Sequence, residues 1–174
     1  MFKKRSFHFF RVLKNRKGFT LTEIFITLAI LGIMTAIAIP SYIYWLPRHK
    51  LQTSARQIYD DLNLAKIQAV KDNTVAVITF TPANGTYFVF LDDSVSNGSY
   101  DAGETILRNN TTLENAVNIT AANTCGFNNR GLRTTAQTQV VRLTNPTGII
   151  MRIDVNTAGG ISILMSKDGG VTWT

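Results

Sequence analysis

Between Phe19 and Ile39 the chain reads FTLTEIFITLAILGIMTAIAI, apolar apart from four threonines, one glycine and one glutamate. At about 1.5 Å per residue a helix of this length reaches roughly 30 Å, the hydrocarbon thickness of a bilayer. After Pro40 the pattern becomes amphipathic. Leu51, Ala55, Ile58, Leu62, Ala65 and Ala69 recur at alternating steps of four and three, which predicts one apolar stripe along a helix. Arg56, Asp60, Asp61, Lys66 and Lys71 fall on its other faces. The stripe is expected to pack on the chain's own globular part, and Pro47 is expected to kink or restart the helix.

Beyond Asn73 the period shortens to two. Val75 to Phe80 and Tyr87 to Leu91 read as strands joined by the turn residues Thr81-Pro-Ala-Asn-Gly85. A second hairpin is predicted from Thr138–Leu143 and Ile149–Val155 across Asn145-Pro-Thr-Gly148, and a further strand, Ile161–Met165, follows Gly159-Gly160. Shorter β pieces are expected near Ile106-Leu107 and Val117–Ile119. The predicted class is α+β: a long N-terminal transmembrane helix and stem, then an antiparallel β-sheet domain. The expected divisions are a basic leader at 1–18, a transmembrane helix at 19–50, an amphipathic stem at 51–73 and a β domain at 74–174.

Composition changes this picture in one respect. The 174 residues hold 18 Lys+Arg against 11 Asp+Glu, a formal net charge of +7. Seven of those bases lie in the first 18 residues, where there is no acid, so the chain from Phe19 onward is formally neutral. The basicity belongs to the arm before the span, and by the positive-inside bias it holds that end in the cytoplasm. The rest then lies across the membrane. One cysteine, Cys125, excludes an internal disulfide and a multi-cysteine zinc site.

A cleavable secretory signal and a plain anchor are the two simpler readings of the N-terminus. The apolar stretch outruns the 7 to 15 residues or so of an ordinary signal and leads into Pro40-Ser41-Tyr42. A plain anchor leaves Glu23 unexplained, because a carboxylate in hydrocarbon costs up to about 3 kcal/mol without a partner.

Lys17-Gly18-Phe19-Thr20-Leu21-Thr22-Glu23, followed by an apolar helix and Pro40, resembles the leader of type IV pilins and type II secretion pseudopilins. The resemblance implies cleavage after Gly18 by a prepilin peptidase, N-methylation of Phe19, and an assembly role for Glu23, whose carboxylate would meet a neighbouring subunit's N-terminal amine. Thr22, where the family usually has an aliphatic residue, is a modest departure. Phe127-Asn-Asn-Arg-Gly131 and the loop from Asp92 to Glu104 narrow the resemblance to the H-type minor pseudopilins, the GspH/FimT family. It implies a subunit of a type II secretion pseudopilus or a type IV pilus. Such a subunit is stored in the inner membrane with its C-terminal domain in the periplasm, has other pilin subunits as partners, and is no enzyme.

Three candidate chemistries remain. With Asp93 as position 1 of a calcium loop, Asn97 falls at 5, Asp101 at 9 and Glu104 at 12, but Val95 breaks position 3. No cofactor is required, and the loop is either a calcium site or a solvated polar turn. Ser166-Lys-Asp168-Gly-Gly170-Val-Thr172-Trp173 resembles the Asp-box turn of sialidases, a structural device that implies no glycosidase. His8 and His49 assemble with no nucleophile, and Cys125 reads as a small buried residue. DNA capture by Arg130 and Arg133, with Arg142 and Arg152, is the alternative function. In the family that activity goes with a late G-R-x-R segment, and Gly159-Gly160-Ile161-Ser162 carries no arginine. The neutral body speaks against DNA as a partner.

Overall fold

A computed structural model describes residues 18–93 and 97–174. The basic leader up to Lys17, His8 and the Val95 position of the acidic loop lie outside the described residues. Two compact units divide between Pro40 and Ser41.

Helix α1 (Leu21–Lys71) is continuous. Thr20 caps it: its side-chain oxygen accepts from the Glu23 amide at 3.2 Å and its carbonyl accepts from Ile24 at 3.2 Å. Thr-Leu-Thr-Glu thus reads as a helix start in its own right, with the acid in the turn where the helix dipole favours it. Thr27 and Thr35 donate to the carbonyls of Ile24 (2.8 Å) and Leu31 (2.7 Å), so their hydroxyls are satisfied within the helix and cost the apolar run little. The helix assignment passes through both Pro40 and Pro47. The restart expected at Pro47 does not occur, because a proline removes a single backbone bond and the turns on either side keep theirs. Tyr42, Trp45 and His49 stack along the next turns, with Trp45 and His49 parallel at 4.5 Å.

In the second unit the predicted stripe is buried at every position, together with Ser54 and Asp61. Eight strands follow: β1 (Val75–Thr81), β2 (Thr86–Asp92), β3 (Thr105–Thr112), β4 (Asn118–Ala122), β5 (Cys125–Phe127), β6 (Gln139–Thr144), β7 (Ile150–Val155) and β8 (Ile161–Ser166). They form two antiparallel sheets, ordered β3-β2-β1-β5 and β4-β6-β7-β8. One face of each sheet joins the helix stripe in a common core: Ile78, Tyr87, Val89 and Phe127 from the first, Val141, Leu143, Ile153 and Val155 from the second. Both expected hairpins and the last strand are present. The short pieces near Ile106 and Val117 prove to be full strands, and β5, three residues long, was not foreseen.

Two buried polar groups tie helix to sheet. Ser54 accepts from the Glu114 amide at 3.2 Å. Asp61, 5% exposed, accepts from the Tyr87 hydroxyl at 2.6 Å and from Arg108 Nε at 3.0 Å. Burial, with this acidic partner, holds the Tyr87 hydroxyl well above the usual range, so it remains a donor. Arg108 is half exposed and adds little, whereas Tyr87 is 1% exposed and would lose its acceptor outright. Asp61→Ala is therefore expected to cost about 1–3 kcal/mol, the penalty of an unsatisfied buried hydroxyl. Asp61→Asn, which keeps an oxygen for Tyr87, should cost less. Urea denaturation of the three proteins checks the order; equal stability of Asp61→Ala and wild type would remove this tie.

Candidate functional site

The first site is the start of α1. Gly18 and Phe19 precede the helix, and Phe19 is 79% exposed. No apolar side chain from Leu21 to Trp45 is buried, and the helix is long and apolar enough to cross a membrane. Among the described residues the Glu23 carboxylate has no ion-pair partner. A carboxylate carried into apolar surroundings is costly unless a cation lies beside it.

The second is the loop from Asp92 to Glu104. Asp92 is buried at the end of β2 and accepts from the Gly98 amide at 2.7 Å; Asn97 donates to Asp101 at 2.9 Å; Glu104, also buried, accepts from the Asp101 amide at 2.9 Å. Burial and the nearby Glu104 raise the Asp92 carboxyl above its ordinary value. Asn97, Asp101 and Glu104 are thus linked to one another, while Asp93 is exposed. Among the described residues no three His, Cys, Asp or Glu side chains converge as a metal site.

The third is the Phe127–Gly131 segment. Asn128 accepts from the amides of Arg130 and Leu132, both at 3.0 Å, and folds the loop tightly. It lies against the Asn156–Gly160 turn, where Lys66 Nζ donates to the Gly159 carbonyl at 2.8 Å. Arg133 is turned inward, its guanidinium donating to the Val155 carbonyl at 2.6 Å. Arg130 is exposed. Of the pair considered for DNA, one is therefore committed to holding β7.

Sequence reasoning missed what Arg142 and Arg152 do. They face each other across β6 and β7, with their guanidinium carbons 5.6 and 4.2 Å from the Trp173 ring, and Arg152 pairs with Asp154 at 2.8 Å. Trp173 is delivered by the Asp-box turn, in which Asp168 accepts from Val171 and Thr172 and Ser166 from Gly170. Hydrogen bonds from Ser166 and Thr172 hold the Asp168 carboxyl well below the usual range. The S-x-D-x-G-x-T-W spacing was the available signal, and it builds a clasp on the second sheet. Cys125 is buried and its thiol is pushed up to about 12 by burial, which leaves it protonated and inert.

Comparison with known proteins adds the following. The family described as type II transport protein GspH matches residues 54–159, and the prokaryotic N-terminal methylation motif matches residues 13–39. The chain is 33% identical over 91 residues to the pilin-like protein PilA1 of Thermus thermophilus, which is 52% of this chain and 56% of that protein. It is 33% identical over 88 residues to a fimbrial protein of Pseudomonas aeruginosa, 50% of this chain and 56% of that one. The chain thus spans just over half the length of the curated relatives it matches. In fold it is similar to the crystal structure of the type IV minor pilin FimU of Pseudomonas aeruginosa, with a TM-score of 0.52 at 17% identity, over 67% of this chain and 89% of that one.

Proposed function

Because this chain belongs to the family of the type II transport protein GspH and carries the N-terminal methylation motif of pilin-like proteins, we propose that it is a minor filament subunit cut between Gly18 and Phe19. Before assembly it waits in the inner membrane, N-terminus in the cytoplasm and β domain in the periplasm. It works by polymerising with other pilin-like subunits, without catalysis. The observation that supports this reading is that Gly18, Phe19 and Glu23 stand at the head of a helix long and apolar enough to cross a membrane. In a filament each such helix packs among others, and Glu23 faces the N-terminal amine that cleavage creates at Phe19. Two charges that are costly alone in an apolar core then neutralise each other. Co-expression with a prepilin peptidase, followed by intact mass measurement, tests the processing step. A chain starting at methylated Phe19 is expected; a chain retaining Met1, or one beginning near Ser41, would end the assignment.

In this reading the acidic loop holds no cation, and one oxygen each of Asp92, Asn97 and Glu104 accepts a hydrogen bond from a loop amide. The melting temperature is expected to be the same in calcium chloride and in chelator. A ligand that binds only the folded state raises stability by mass action. A rise in calcium that Asp101→Ala abolishes would instead assign Asp93, Asn97, Asp101 and Glu104 as a calcium site.

A further inference from the structure

A cavity of about 560 Å³ lies on the face of the first sheet that points away from the helix. Its floor is aromatic. Phe88 and Phe90 alternate with the core residues Tyr87, Val89 and Leu91, so they project from the opposite side of β2. Tyr100 stands edge-on to both, at 5.1 Å from Phe88 and 5.6 Å from Phe90, and keeps 43% of its surface exposed.

The wall opposite comes from an irregularity in pairing. Between Tyr87↔Thr111 and Val89↔Arg108 a single residue of β2, Phe88, faces two of β3, Asn109 and Asn110. Asn110 takes the left-handed conformation, with φ of 42°, that the extra residue demands. Both asparagines line the cavity as a result. Thr79, paired with Phe88 from the other side, lines it too. Among the described residues the side-chain amides of Asn109 and Asn110 and the hydroxyls of Thr79 and Tyr100 make no hydrogen bond to another protein group. Among the described residues no charged side chain lines the cavity.

We propose that this cavity binds a neutral saccharide. An apolar ligand would strand the amides and hydroxyls of the rim, each at a desolvation cost. An ionic ligand would find no counter-charge. A sugar ring has an apolar C–H face for Phe88 and Tyr100 and uncharged hydroxyls for Asn109, Asn110 and Thr79. The volume lies within the range of small-molecule sites, in which apolar walls carry a few placed polar groups. Phe88, Phe90 and Tyr100 brace one another, so the platform is formed before a ligand arrives.

Saturation-transfer-difference NMR on the full chain tests this, in micelles of lauryldimethylamine oxide, whose headgroup is no sugar. The probes are N,N′-diacetylchitobiose, cellobiose and maltose, with digalacturonate as the charged control. At least one neutral probe is expected to receive saturation. Tyr100→Ala and Asn109→Ala should each weaken its binding by about tenfold, and Asn109→Ala, at an exposed position, should keep the wild-type melting temperature. No transfer to any neutral probe at roughly 10 mM, above the range of the weakest specific ligands, would overturn the proposal. So would equal binding of digalacturonate, or binding that neither variant changes. Should a variant lose its fold, competition between the neutral probes on the wild-type chain decides whether they share one site. Transfer that no second probe displaces counts against the cavity.

Discussion

Glu23→Ala is expected to leave the chain processed and folded while lowering its recovery in filaments by at least about tenfold. The carboxylate sits in the first turn of α1, exposed and without an ion-pair partner among the described residues, so the isolated chain loses only a favourable helix-dipole contact, about 0.3–1 kcal/mol. In the assembled state the loss is different in kind. The amine created at Phe19 of the neighbouring subunit would be buried among apolar helices with nothing to neutralise it. Removing one partner of a buried pair costs about 3–5 kcal/mol. Even a third of that is a tenfold change in an equilibrium constant. Glu23→Asp, which keeps the charge on a shorter reach, should fall between. Quantifying the chain in sheared filaments against the membrane pool measures all three. Undiminished recovery of Glu23→Ala would show that the carboxylate is not the assembly contact.

Gly159→Ala should be the most damaging single-methyl change in the β domain. Gly159 has φ of 75°, a region an alanine enters only with strain, and a Cβ there would overlap the carbonyl oxygen of Gly131. Neither backbone can give way. The Asn156 side chain pins the turn through the Gly160 amide at 2.7 Å, and Asn128 pins the Phe127–Gly131 loop through two amides. Left-handed strain of about 1–3 kcal/mol is joined by an overpacking cost of similar size, so a loss of roughly 2–6 kcal/mol is expected. Gly148→Ala is the control. Its φ is 79° but nothing lies within 4 Å of the added carbon, so it should show the strain alone. Urea denaturation of both variants separates the two contributions. Equal losses would mean that the two loops do not touch.

What was legible in the sequence was whatever a short window carries. The stripe from Leu51 to Ala69 announced a buried helix face because its spacing repeats over five turns, and every member is buried. Strands β1, β2, β6, β7 and β8 showed through their alternation and the Gly, Pro and Asn turns between them. The division into two sheets was not legible. It depends on β5 joining β1 and β4 joining β6, pairings between segments far apart in the chain, and β5 is too short to alternate visibly.

The candidate sites divide in the same way. Gly18, Phe19 and Glu23 form a contiguous motif and could be read directly. The bond from Tyr87 to Asp61 and the approach of Gly159 to Gly131 bring distant residues together, and no local pattern marks them. Arg133 looked available because its sequence neighbours are loop-like, yet the bridge from Phe127 to Arg133 turns its guanidinium to Val155. Pro47 pointed to a kink or a restart, and the helix runs through it without restarting. The cavity beside Phe88 arises from an extra residue in β3 that the strand's composition does not betray.

The central claim, a processed chain working as a filament subunit, is tested most directly by mass spectrometry of purified filaments. The claim predicts that filaments sheared from cells expressing the wild-type chain contain a peptide beginning at methylated Phe19. That peptide should be absent from filaments of cells lacking the prepilin peptidase's activity toward Gly18, supplied here as Gly18→Val. The account is contradicted if the chain is found only in the membrane fraction, with Met1 still at its end, while filaments assemble without it.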